Sequence, residues 1–148
     1  MKLVSKNKKA YFDYEILEDW EAGLVLRGDE IKAIRGGRVN ITGSYVKPFN
    51  HEGSEELWWV GASFNLGESE DTRSRKVLMH KGEVERILGR LSAGNLTVVP
   101  LELYLQRGLA KLKIGLASKR KLHNKRDLLK KRVTEREIQR TLKDNLKK

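Results

Sequence analysis

Residues 96–117 commit this chain to a sheet. Lys111 and Lys113 alternate with Ala110, Leu112 and Ile114, the period of a strand with one buried and one exposed face. A second apolar run, residues 96–106, precedes them, and Arg107 and Gly108 join the two. Pro100 has no backbone donor, so its strand is expected to bulge there or to lie at an edge.

The upstream chain carries shorter signals of the same kind. The first six residues are polar and expected to be loose. Residues 10–18 alternate Tyr and Ile with Asp and Glu, which predicts a half-buried strand. Residues 22–26 form a second short apolar run, with Gly23 and Gly28 marking a bend. Asp29 and Glu30 open, and Arg35 followed by Gly36 and Gly37 closes, a short predicted helix with Ile31 and Ile34 facing inward. Residues 44–49 and 57–64 predict two further strands around a hairpin turn at 50–54, and the polar residues 65–75 predict a loop. Residues 76–79 are short and extended. Val84, Ile87, Leu88 and Leu91 then keep helical spacing until Gly94 and Asn95. Five or six short antiparallel strands with two short flanking helices predict a mainly β fold, a small antiparallel barrel of the oligonucleotide-binding (OB-like) kind.

A length of 148 residues suits one continuous core with an appendage. Charge shows where to divide it. Residues 118–148 carry 13 Lys and Arg against 4 Asp and Glu, whereas the preceding 117 carry 18 against 16. We therefore expect a body at 1–117 and a basic C-terminal tail at 118–148. The tail's apolar residues, Leu128, Leu129, Val133, Ile138, Leu142 and Leu146, spread around the helical circumference, so it is expected to be disordered or helical, folding on a partner. A net charge of +11 makes that partner anionic. The absence of cysteine excludes disulfides and thiolate metal sites and fits a reducing compartment. The start lacks an apolar run long enough for a signal peptide, and no segment approaches a membrane span, so the cytoplasm is the expected location.

Catalytic patterns are missing. His51, His80 and His123 lie in separate segments, and no phosphate-binding glycine motif occurs, so neither metal nor cofactor is expected. Glu68, Glu70 and Asp71 cluster in the predicted loop and read as solvated acids with nothing nearby to shift them. What remains is charge beside flat or hydrogen-bonding groups, the chemistry that RNA loops and single strands require. Asn7, Lys8 and Lys9 can grip phosphates and a base edge, or simply form a solubilising terminus. Lys111 and Lys113 would form a basic face along the barrel wall, or an ordinary solvated one. Glu21 repels phosphate but can accept hydrogen bonds from base amines; a plain surface acid is the alternative. Trp58 and Trp59 fall on opposite faces of one strand, so at least one belongs to the core. His123 between Lys121 and Lys125 can stack on a base.

At these residues the sequence resembles the SsrA-binding protein (SmpB) family. Residues 7–10 (NKKA) are similar to the family's opening NKKA, residues 21–35 (EAGLVLRGDEIKAIR) to EAGLVLxGTEVKSLR, and residues 44–46 to its SYV. Residues 75–81 (RKVLMHK) resemble RKLLLHK, and residues 96–104 (LTVVPLELY) resemble LTLVPLKLY. The resemblance implies an adaptor, not an enzyme, that binds the tRNA-like domain of transfer-messenger RNA and delivers it to stalled ribosomes. It places RNA contacts on Asn7, Glu21, Leu78 and Lys111, with Lys8, Lys9, Lys32, Arg35 and Lys113 adding cations nearby. It also sends the tail, through Lys119, Arg120, Lys121, His123, Lys125, Arg126, Lys130, Lys131 and Arg132, into the decoding centre and messenger channel. A monomer is expected when free. The tail departs from the family's AKGKKLYDKR, with Lys119 at the glycine position and Asn124 at the aspartate position. A general ribosomal or single-strand-binding barrel is the competing reading.

Overall fold

The hairpin expected at residues 96–117 is the spine of the fold in the computed structural model, which describes residues 1–67 and 69–120. In chain order the elements are β1 (Lys2–Lys6), α1 (Lys8–Asp13), β2 (Tyr14–Leu24), α2 (Gly28–Arg35), β3 (Val39–Asn40), β4 (Tyr45–His51) and β5 (Ser54–Val60). There follow β6 (Ser63–Asn65), β7 (Glu70–Asp71), β8 (Arg75–Leu78), α3 (Lys81–Ser92), β9 (Leu96–Gln106) and β10 (Leu109–Lys119). The main sheet runs β1-β9-β10-β2-β8-β5-β4, and a further pairing of β4 with β9 through Val46 and Val98 closes six of its strands into an antiparallel barrel. Closure pairs the Val98 end of β9 with β4 and leaves its 102–105 stretch as an edge for another strand. β1 adds to β9 outside the closed ring, and β3, β6 and β7 form a separate three-stranded sheet.

Alternation fills the barrel. Leu112, Ile114 and Leu116 of β10 and Val98 and Leu103 of β9 are buried with Trp59 and Phe64, each fully buried large side chain contributing about 1.5–3 kcal/mol. Trp59 sits edge-on to Phe64 at 5.7 Å and donates its indole N–H to Ser44 Oγ at 2.9 Å. Trp58, on the other face of β5, is half-buried, as period two requires.

Pro100 produces the expected irregularity. Ile114 pairs with Pro100 while Lys113 pairs with Glu102, so Leu101 bulges out of the ladder. On its other flank, Asn7 donates its amide Nδ2 to the Pro100 carbonyl at 2.9 Å and its backbone N–H to the Leu101 carbonyl at 2.8 Å. Outside the barrel, α1 covers this stretch: Ala10 packs with Val99, Leu101 and Ala117. Gly115 must stay bare beneath it, since a Cβ there would lie 2.8 Å from Leu101 Cδ1 and 3.1 Å from Ile16 Cγ2.

Several expectations need correction. The first residues are not loose, because Lys2 to Lys6 pair with Leu105 to Glu102 as β1. The strand expected at 10–18 begins only at Tyr14; before it lies a third helix, started by Asn7, whose Oδ1 accepts from the Ala10 N–H at 3.1 Å. Residues 22–26 are not a separate run, since β2 continues to Leu24. The strand expected at 57–64 breaks at Gly61, whose φ of +86° suits glycine. The region 65–75 is more than a loop: it contains β7 and ends in the buried Arg75.

β10 also runs past residue 117. Ser118 and Lys119 pair with Glu15 and Tyr14, and the Arg120 N–H donates to the Asp13 carbonyl at 2.8 Å. The tail readings on Lys121, His123, Lys125, Arg126, Lys130, Lys131 and Arg132, and the reading on Glu68, lie outside the described residues.

Candidate RNA interface

Glu21, Gly23, Leu78 and Lys111 come from three strands and meet in one cleft of about 320 Å³, completed by Met79, His80 and Glu83. Register explains the meeting. Lys111 of β10 pairs with Gly23 of β2, and Gly23 pairs with Leu78 of β8, so the three form one row across the sheet. Glu21 is two residues from Gly23 on the same outward face. Gly23 forms the cleft's open floor, and Leu78, 48 % exposed, supplies an apolar wall.

The next row is polar. Lys113 stands between Glu21 and Glu102, and its Nζ lies 3.8 Å from Asp19 Oδ2. Two lysines among three carboxylates are not the basic stripe that alternation alone suggested: strand pairing brings Asp19, Glu21 and Glu102 to the same face. Such a face offers hydrogen-bond acceptors as well as cations. Lys111 Nζ is 3.9 Å from Glu21 Oε1, while the Tyr104 hydroxyl donates to Glu21 Oε2. Tyr104 is 5 % exposed. Burial, then the hydrogen bond and charge of Glu21, push its phenol far above the ordinary tyrosine range. Sequence reasoning did not single out Tyr104, although it closes the last of the motifs read above.

Asn7 is placed differently from what the sequence suggested. It is 2 % exposed and both side-chain polar atoms are engaged within the chain, so its amide caps α1 and ties it to β9. Lys8 and Lys9 project from the first turn of that helix and are exposed. Cations there oppose the helix dipole, so they do not serve the helix. α1 lies over Ala117, six residues along β10 from Lys111, or about 20 Å at the rise of a strand. Lys9 instead borders a second cleft of about 440 Å³ with Tyr14, Tyr45 and Lys47. Lys119 and the start of the tail lie at this same end, since Lys119 pairs with Tyr14. Lys32 and Arg35 are exposed on α2, away from its buried Glu30, Ala33 and Ile34.

Sequence reasoning also missed an ion-pair network behind the cleft. Glu30, fully buried, accepts from the Arg27 backbone N–H at 2.8 Å and from the guanidinium groups of Arg73 and Arg75. Arg75 is itself fully buried, with its guanidinium 3.7 Å from the Phe64 ring centroid. Burial pushes the Glu30 carboxyl up, but the Arg27 N–H and the two guanidinium groups more than reverse this and leave it below the usual carboxylate range. Asp71 is not merely solvated: the Arg73 N–H and the Arg27 guanidinium, at 2.8 and 2.7 Å, hold its carboxyl low. Among the described residues no group of three or more His, Cys, Asp or Glu could hold a metal, and no helix is long and apolar enough to cross a membrane.

Comparisons with known proteins cover almost the whole chain. Residues 4–144 match the family model described as SmpB protein. An SsrA-binding protein of a Nitratiruptor species is 43 % identical over 148 residues, covering 97 % of this chain and 99 % of that one. Another, from Acaryochloris marina, is 44 % identical over 145 residues, covering 96 % and 94 %. A solved structure described as "tmRNA-SmpB: a journey to the center of the bacterial ribosome" superposes with a TM-score of 0.60 at 39 % identity, covering 79 % of this chain and 84 % of that one.

Proposed function

The chain belongs to the SmpB protein family, and on that premise we propose that it is a cytoplasmic, non-enzymatic adaptor that binds transfer-messenger RNA and delivers it to stalled ribosomes. The barrel holds the tRNA-like domain in the cleft of Glu21, Gly23, Leu78 and Lys111. The tail from Lys119 onward engages ribosomal RNA of the decoding centre and the messenger channel. The observation that carries this reading is the convergence of Glu21, Leu78 and Lys111 in one cleft, in a chain whose relatives are SsrA-binding proteins.

The cleft suits RNA for physical reasons. Lys111 supplies a phosphate counter-charge, Leu78 an apolar contact for a base or ribose, and Glu21 an acceptor for base N–H groups. Lys8, Lys9 and Lys119 lie toward the other end of the β2–β10 pair, so one body presents cations to two RNAs at once.

Cutting the chain after Arg120 separates the two tasks, because every strand of the barrel is complete by Lys119. The truncated body is expected to bind tRNA-like RNA, with each neutralised phosphate contributing about −0.7 to the log–log salt slope, and to lose peptide tagging on stalled ribosomes. Full tagging by the truncated chain refutes the division of labour. Equal displacement of the tRNA-like RNA by poly(U) would favour a general RNA-binding barrel instead.

A further inference from the structure

We infer that Tyr104 is the positioning residue of this interface, its buried hydroxyl fixing the Glu21 carboxylate so that it accepts hydrogen bonds from N–H groups of an RNA base. The inference rests on the cleft being an RNA site and concerns what makes it selective. Tyr104 lies on β9 and Glu21 on β2, with β10 between them, so the contact spans two strand spacings, about 10 Å. Lys111, opposite Tyr104 on one side and Gly23 on the other, occupies the row crossed by the phenol. Tyr104 is packed away from solvent and does not itself line the cleft; its hydroxyl reaches the cleft through Glu21.

The geometry divides the carboxylate's work. Oε2 is taken by the phenol, while Oε1 stays on the cleft side, 3.9 Å from Lys111 Nζ. A glutamate side chain that is 49 % exposed would otherwise sample many rotamers and have to be ordered on binding; a buried partner removes that cost beforehand. An acid at this point rejects phosphate, and so the groups it can take are exocyclic amines and ring imino groups. Because burial and the neighbouring carboxylate hold the phenol protonated, Tyr104 acts as a donor throughout the pH range in which RNA is handled.

The test is a double-mutant cycle on the full chain, with Kd measured at fixed salt for a transcript of the tRNA-like domain of transfer-messenger RNA. Glu21→Gln is expected to weaken binding about tenfold and Tyr104→Phe about fivefold, the size of a charge-assisted hydrogen bond or of its loss of order. In the Glu21→Gln background, Tyr104→Phe should add less than about twofold, since the phenol then holds the amide oxygen and turns only an NH2 donor to the cleft, where its positioning no longer helps. The salt slope of Tyr104→Phe should equal wild type because no phosphate contact is lost. Glu21→Asp keeps the charge and leaves Tyr104 intact but withdraws the carboxylate by one methylene, so it should reproduce the Tyr104→Phe loss even if that variant melts early. Equal losses from Tyr104→Phe in both backgrounds, or wild-type binding by Tyr104→Phe while Glu21→Gln is weak, overturn the positioning role and leave the cleft reading standing. Wild-type binding by Glu21→Gln overturns both.

Discussion

Glu30, at the junction of α2 and β8, and Glu21, on the β2–β10 face, both have cationic or hydroxyl partners, yet the first is fully buried and the second half exposed. Glu30 is sealed and saturated by one backbone N–H and two guanidinium groups. Glu21 keeps one oxygen facing a cleft and is held from behind by a single phenol. Saturation leaves a carboxylate nothing to offer a ligand and makes it part of the scaffold. Partial engagement, with a buried partner on one oxygen and a half-exposed side chain, leaves the same group an acceptor to offer a ligand. The two are linked through β8, which carries Arg75 at one end and Leu78 at the other, so the buried network fixes the strand that walls the cleft.

The sharpest way to break this contrast is Glu30→Gln, which leaves Arg75 charged in the interior. Removing one partner of a buried pair costs about 3–5 kcal/mol, and urea unfolding should show a loss of that order. A change below about 1 kcal/mol would place Glu30 with ordinary surface acids. The second effect is on acid stability. Because the folded Glu30 pKa lies below its ordinary value of 4.5, its stabilisation is complete above that pH and is lost as pH falls through the folded value. The wild type should therefore lose stability faster than Glu30→Gln below pH 4.5, and parallel curves would remove Glu30 from the account. The smallest expected effect is at the cleft. Lys111→Ala should change stability by less than about 1 kcal/mol, as a long, partly exposed pair does, while lowering the magnitude of the RNA salt slope by about 0.7 if Lys111 neutralises one phosphate. A large drop in melting temperature would move Lys111 from recognition to scaffold.

The legible part of this molecule is the part governed by local periodicity. Alternation marks β10, an apolar run marks β9, helical spacing marks α3, and the run from acid to base to glycine marks α2. Trp58 and Trp59 were separated by pleat alone, and Pro100 announced its bulge because a missing donor must be accommodated somewhere. Where a nearby element overrides the local pattern, reading fails. Residues 10–13 continue the Tyr and acid pattern of the strand, yet Asn7 caps a helix there because its amide also satisfies β9 at the proline. β1 looks like a polar terminus and becomes a strand because β9 offers it a free edge. The resemblance to a known family points to Asn7, Glu21, Leu78 and Lys111 together; the structure brings Glu21, Leu78 and Lys111 into one cleft and buries Asn7 at the start of α1, and nothing in the local pattern distinguishes Tyr104 from the other residues of its strand.

By itself, then, the amino-acid order determined a mainly β body with outward lysines on β10 and a surplus of basic charge in residues 118–148. Only tertiary structure decided that Glu21, Gly23, Leu78 and Lys111 share one cleft, that Tyr104 backs it, and that Glu30 and Arg75 are buried together. The reason is that alternation sets which way each side chain faces along its own strand, whereas register and closure between strands distant in sequence set which side chains become neighbours.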